Sequence, residues 1–306
     1  MDIRKRIKDL LFKEEWTLAI RKRQDKLLFE PGGTDKQFFI IKNSPRYWAA
    51  DPFLISKDDK DYIFFEMYDR LKGKGLIGYR VIEDGKISKM RVAYEHNTHL
   101  SFPFIFEYKG DFYMMPESSE ESTLMLLRAK KFPNEWEKIS YLSQGERMVD
   151  SSLYEHNEEV FLFTQQIRKG YSFDSLDIFM LKSNELVPHK KNPVVVSAEN
   201  SRPAGKVFDH NSRIIRVSQD CSNGYGTKIK FNEILCLTNE DYLEETFRDI
   251  ETSDLLLDKK IDFCGVHTYN LNERYEIIDI KNKNQIRLFN ILNIIYRAVC
   301  KVFAKY

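Results

Sequence analysis

The chain has 306 residues, of which 42% are hydrophobic and 31% charged, and its formal net charge is +1. That length suits one large domain or two medium ones, the apolar share argues against disorder over most of the chain, and the near-zero charge gives no bulk pull toward nucleic acid. Aromatic residues make up 13%, led by 22 Phe and 16 Tyr. Such a composition favours strands. Flat rings also suit carbohydrate, because the C–H faces of sugars stack on them, although core packing is their commoner use.

Residues 1–15, within "MDIRKRIKDLLFKEEW", read as a basic helical segment with Ile3, Ile7, Leu10 and Leu11 on one side. The segment has neither the apolar core nor the cleavage site of a secretory signal. From residue 16 to 285 the pattern is one of paired strands. "WAADPFLI" precedes "DYIFFEMY", "HLSFPFIF" precedes "DFYMMPES", and "MVDSSLYE" precedes "EVFLFTQQ". "SRPAGKVF" then precedes "SRIIRVSQ", and "DFCGVHTYN" precedes "RYEIIDI". Short polar turns such as "SKDDK", "EYKG" and "HNE" join the members of each pair. The anchor positions Asp51, Ser101, Asp150, Arg202 and Gly265 stand 50, 49, 52 and 63 residues apart. Third and fourth strands follow in most units, as in "GLIGYRVIE" and "RVAYE". Recurrence near fifty residues with about four strands per unit predicts an all-β, five-bladed β-propeller with short helical N- and C-terminal segments. A β-sandwich is the alternative.

Residues 286–306, "IRLFNILNIIYRAVCKVFAKY", carry apolar residues at helical spacing together with Arg287, Arg297, Lys301 and Lys305 and no acid. This basic amphipathic helix is expected either to lie on an anionic membrane surface or to pack on the propeller's flank. No run of about 18 apolar residues is present to span a bilayer. The cysteines at 221, 236, 264 and 300 form no CxxC pair and read as reduced thiols, which predicts a cytoplasmic protein, with the inner face of the membrane as its expected edge.

If the first strand of each pair lines the axis, its leading residues converge on one mouth. Asp51, His99, Asp150, Arg202 and His267 become candidates, with Glu117, Gln219 and Asp220 as further polar residues at strand ends. Each has a plainer reading: an Asp-Pro turn for Asp51, a packed histidine for His99 or His267, a surface cap for Arg202. His and Asp residues scattered by tens of positions give no metal-ligand spacing, so no metal and no cofactor is predicted. "CSNGYG" lacks the lysine and following helix of a phosphate loop.

The strings "ADPFL", "HLSFPFIFEYKGDFYMMPES", "KKFPNEW", "VDSSLY", "SRPAG" and "SQDCSNGYG" together resemble the N-terminal domain of glucosamine inositolphosphorylceramide transferases and its bacterial relatives. The resemblance runs from about Trp16 to Asp279. That domain is similar to the five-bladed propellers of glycoside hydrolase family 43. The resemblance implies a general base at Asp51 and a pKa-tuning, substrate-orienting carboxylate at Asp150. Arg202 stands where those hydrolases carry their general acid, and an arginine cannot donate a proton at neutral pH. It can hold a phosphate or carboxylate in a paired contact. Glu117 is the alternative acid.

The expectation is a carbohydrate-active propeller in surface polysaccharide or glycolipid biosynthesis, carrying out glycosyl transfer or processing in an axial pocket. Its catalytic candidates are Asp51, Asp150 and Glu117, and its substrate-binding candidates are His99, Arg202, Gln219, Asp220 and His267. The expected partners are a sugar or sugar phosphate, glycan-biosynthesis enzymes, and an anionic membrane touched through 286–306. The alternative is a non-catalytic glycan-binding module that supports a separate glycosyltransferase.

Overall fold

The computed structural model describes residues 15–168, 175–183, 185–259 and 262–282. The expected helices at 1–15 and 286–306 lie outside these residues, except that Glu15 opens a strand, Glu15–Lys22. Among the described residues, twenty-two strands form five antiparallel sheets, the five blades of a propeller. Blade 1 runs outward from Tyr47–Lys57 through Lys60–Asp69 to Lys74–Glu83. Blade 2 begins at Ser101–Tyr108, blade 3 at Arg147–His156 and blade 4 at Phe208–His210. Blade 5 begins at Phe263–Leu271 and Tyr275–Asn282, and the N-terminal strands Glu15–Lys22 and Phe39–Ile41 complete it. Closing the ring with strands from both ends of the chain leaves few open sheet edges.

Each blade is sandwiched between two neighbours, so its central strands are apolar on both faces. "YIFF" and "VFLF" are examples, with Ile63, Phe64, Phe65, Phe161, Leu162 and Phe163 almost fully buried. Four apolar clusters fill the wedges between blades. One joins Phe53 and Phe64 of blade 1 to Phe102, Met114 and Leu127 of blade 2 and on to Met148 of blade 3. Another joins Val217 and Phe231 of blade 4 to Tyr269 and Ile278 of blade 5.

The axis is built from a repeated irregularity. The innermost strands of blades 1, 2, 3 and 5 each break register against their partner: between Ala50 and Phe53, Ser101 and Phe104, Val149 and Ser152, and Val266 and Tyr269. These are bulges, which free a backbone N–H from the ladder and re-aim a side chain. Three of them hold a residue other than glycine in the left-handed region: Asp51 at φ 50°, Phe102 at φ 41° and Asp150 at φ 52°. The blade 2 counterpart of Asp51 is therefore Phe102, one residue beyond the anchor Ser101 read from the sequence.

Candidate active site at the propeller axis

The freed N–H groups are taken by carboxylates from neighbouring blades. Asp279 of blade 5 accepts from the Asp51 N–H at 2.9 Å. Asp51 Oδ2 accepts from the Phe102 N–H at 3.1 Å. Glu117 Oε2 of blade 2 accepts from the Asp150 N–H at 3.0 Å. The relay continues in blade 4, where Asp150 Oδ2 accepts from Arg202 Nε and, at 3.2 Å, from Gln219 Nε2. A buried unpaired N–H is costly, and a carboxylate acceptor makes a strong bond to it. One set of interactions thus stitches the blades together and gathers acids at the mouth.

His267 lies between two of these acids. Its Nδ1 is 2.8 Å from Asp279 Oδ1 and its Nε2 is 3.1 Å from Asp51 Oδ1. Burial opposes charge on the ring, but Asp279 and Asp51 outweigh it and push the imidazole up to about 10. Both ring nitrogens then donate, so His267 is an imidazolium bridging two carboxylates. Trp16 stacks on it with ring centroids 3.8 Å apart. The cation on Asp51 is thus His267, whereas Arg202 pairs with Asp150.

Glu117 has a different environment. Burial, then the nearby charge of Asp150, push its carboxyl up to about 8, against the opposing pull of Arg202. It is mostly protonated at neutral pH. Burial also pushes Asp150 upward, while Arg202 pulls it back. Burial disfavours the Arg202 charge, yet Asp150 and Glu117 hold its proton more firmly than usual. Among the described residues only Arg202 Nε is engaged in a hydrogen bond. The two Nη groups make no hydrogen bond among the described residues, and the guanidinium carbon lies 4.9 Å from the Tyr225 ring.

His99 occupies the blade 1 side. Its Nδ1 accepts from the Gly75 N–H at 3.0 Å and its Nε2 is 3.3 Å from Glu66 Oε1. Burial lowers the imidazole and Glu66 more than restores it, so the net direction is upward. Glu66 is itself raised, first by burial, with Asp51 among the groups that add to it. Gln219 is buried and spans Asp150 and the Pro203 carbonyl, at 3.0 Å from the latter. Asp220 is turned away from this cluster. Its Oδ1 accepts from the Ser222 N–H and hydroxyl at 3.0 and 2.6 Å, and its Oδ2 is 3.7 Å from Lys230 Nζ.

Asp51, Asp150, Glu117, Arg202, Gln219 and His267 therefore converge, His99 flanks them through Glu66, and Asp220 caps a turn. Sequence reasoning missed Asp279, Glu66, Trp16 and Tyr225. Asp279 had a signal, as the lone acid in the strand run "IIDI". Glu66 pairs with Ala50 as Glu117 pairs with Ser101, so aligning the second strands would have found it. Ligand atoms of Asp51, His267 and Asp279 all lie within 4.8 Å of one another. However, backbone N–H groups and the imidazole already occupy both oxygens of Asp279, and Asp51 accepts from the Phe102 N–H. The three fit a hydrogen-bonded chain better than a cation's ligand set.

The five-bladed fold is shared with solved glycoside hydrolases. The fold resembles an α-L-arabinofuranosidase from Lactobacillus brevis (TM-score 0.54, 13% identity, 75% of this chain and 81% of that one). It also resembles an α-L-arabinofuranosidase from Podospora anserina (TM-score 0.55, 9% identity, 77% and 91%) and a family 117 glycoside hydrolase from Zobellia galactanivorans (TM-score 0.53, 13% identity, 89% and 91%). At such identities the likeness is one of fold. The chain belongs to the family described as glucosamine inositolphosphorylceramide transferase 1, N-terminal, which matches residues 39–289. It is 34% identical over 215 residues to the glucosamine inositolphosphorylceramide transferase 1 of Arabidopsis thaliana, covering 67% of this chain. The identity to its namesake in Oryza sativa subsp. indica is 34% over 208 residues, 65% of this chain. The chain matches only 28% of the length of these relatives.

Proposed function

We propose that the axial mouth binds a phosphate-bearing sugar and carries out glycosyl transfer or processing on it, in surface polysaccharide or glycolipid biosynthesis. The observation that carries this reading is a division of labour among acids at one mouth. Glu117 holds a proton past neutrality, Asp51 meets the His267 imidazole, and Arg202 leaves both Nη groups without a partner among the described residues. Protonated and ionised carboxyls are the pair that glycosidic-bond chemistry needs. Glu117 would give its proton to the departing oxygen, and Asp51 would accept one from the attacking hydroxyl. Arg202 would hold the phosphate through its two Nη groups, which have no hydrogen-bond partner among the described residues. The relatives' name, which joins a sugar to an inositol phosphate, supports an anionic substrate. Work alongside glycan-biosynthesis enzymes at the inner face of a membrane, with residues 286–306 as the contact, belongs to the same proposal.

One observation favours a second reading, a binding module without chemistry: both oxygens of Asp51 already accept a hydrogen bond from the protein. Calorimetry and turnover assays against neutral sugars, hexose 1-phosphates and nucleotide sugars separate the two. The first reading expects tighter binding of phosphorylated ligands, a loss of that preference in Arg202→Lys, and turnover that Glu117→Gln abolishes. Binding without turnover selects the module. Efficient hydrolysis of neutral pentosides, indifferent to Asp51→Asn, would overturn the site assignment.

A further inference from the structure

After the second strand of blade 4, the chain enters a loop, Asp220–Gly226, that is fixed at many points. The Cys221 N–H donates to the Ala198 carbonyl at 2.8 Å and the Gly224 N–H to the Cys221 carbonyl at 3.1 Å. The Thr227 hydroxyl donates to the Asp220 carbonyl at 2.9 Å, and Lys281 Nζ to the Tyr225 carbonyl at 2.8 Å. Gly226, at φ +62°, is pressed against the site: a Cβ there would lie 2.7 Å from His267 Cβ and 2.8 Å from the Trp16 ring. Only glycine lets the loop seat this closely.

Tyr225 sits on this fixed backbone, yet 45% of the residue is exposed. Its hydroxyl makes no hydrogen bond among the described residues. Its ring contacts Arg202 across 4.9 Å, His267 across 5.3 Å and Trp16 across 6.1 Å. A partly exposed aromatic ring on a preorganised loop, with one face under a guanidinium whose Nη groups have no hydrogen-bond partner among the described residues, has the character of a ligand contact: little ordering entropy is left to lose on binding.

We propose that Tyr225 is the sugar-ring platform of the axial site. The C–H face of a sugar lies on the open part of the ring while its phosphate substituent pairs with Arg202. The ligand class is a sugar phosphate, esterified or nucleotide-linked, in preference to a neutral sugar or free phosphate. This rests on the proposed reading of the mouth as an anionic-sugar site.

The test is calorimetry on the full chain with inorganic phosphate and with glucosamine 1-phosphate, read as the ratio of the two affinities. Tyr225→Ala is expected to shrink the preference for the sugar phosphate about tenfold, the scale of one aromatic contact, with a much smaller effect on phosphate. Tyr225→Phe keeps the ring and should keep the preference. A cooperative melt of Tyr225→Ala near that of wild type confirms that the loop still folds. An unchanged ratio in Tyr225→Ala overturns the platform while Arg202-dependent phosphate binding survives. If the wild-type chain binds neither probe, the reading of the mouth falls and the platform with it.

Discussion

Asp279→Asn removes one of the two carboxylates that hold the His267 imidazolium, at a side chain with no solvent exposure. The asparagine oxygen still accepts from one backbone N–H, but its amide turns a donor toward the others. Breaking a buried, hydrogen-bonded ion pair of this kind costs about 3–5 kcal/mol. The pH dependence is more telling. The folded-state pKa of His267, about 10, lies above the ordinary imidazole value of 6.5. Its stabilising contribution is therefore complete below about pH 6.5 and is lost as pH rises through 10. Integrating the shift gives a loss of roughly 2.5 kcal/mol between pH 7 and pH 9. Two other groups titrate in that window with opposite signs. Glu117, raised to about 8, makes the fold less stable as it ionises, and Lys206, lowered to about 8 by burial, makes it more stable as pH rises. Their effects nearly cancel, and subtracting the variant from wild type removes them. Urea unfolding at several pH values is the assay, with stability from linear extrapolation. The gap between wild type and Asp279→Asn should be largest at pH 7 and narrow by at least about 1 kcal/mol by pH 9. A gap independent of pH would show that His267 is not held as a cation, and would remove the electrostatic account of the axis.

Two other substitutions probe the same mouth. Arg202→Gln leaves Asp150 buried without its counter-charge and should destabilise the fold by about 3 kcal/mol at pH 7 while abolishing anion binding; a melt and a phosphate titration read both effects. If turnover is found, its rate should fall as pH rises through about 8, where Glu117 loses its proton, and Glu117→Gln should remove the rate while leaving substrate affinity within a few fold.

The architecture was legible because a propeller repeats its hairpins. "DFYMMPES" and "EVFLFTQQ" carry the same apolar runs and polar turns at similar spacing, and that signal survives without knowledge of any contact. The closing strands were not legible. "EWTLAIRK" looks like any isolated strand, and only the ring's geometry pairs Leu18 with Asp279 across most of the sequence. The site shows the same division. Asp51 and Asp150 announce themselves as acids opening apolar strands. By contrast, the exchange of partners, Asp51 to His267 and Asp150 to Arg202, depends on how adjacent blades face each other, which a linear pattern does not encode. The one-residue offset between Ser101 and Phe102 has a related cause. A bulge adds a residue that alternation cannot count, so the residue whose backbone N–H is freed toward Asp51 is one later than the pattern suggests, while its ring packs in the core against Phe53.

That bulge also fixes what Asp51 can be replaced with. Its backbone lies at φ 50°, a region that Asn and Asp tolerate and that costs other L-residues about 1–2 kcal/mol. Asp51→Asn keeps the shape and the backbone preference, and it can accept from either His267 or the Phe102 N–H, though not from both. Because His267 retains Asp279, the loss should stay near 1–3 kcal/mol and the variant should fold. Asp51→Ala loses both acceptors, orphans the buried Phe102 N–H and adds backbone strain. It should therefore fall a further 2 kcal/mol or so below Asp51→Asn in urea unfolding at pH 7. Neither variant should support turnover if Asp51 accepts the proton. An alanine variant as stable as the asparagine one would mean that the carboxylate does not hold blade 1 to blade 2. The acid would then be at the axis for chemistry alone, free of the structural duty that the 3.1 Å bond to Phe102 implies.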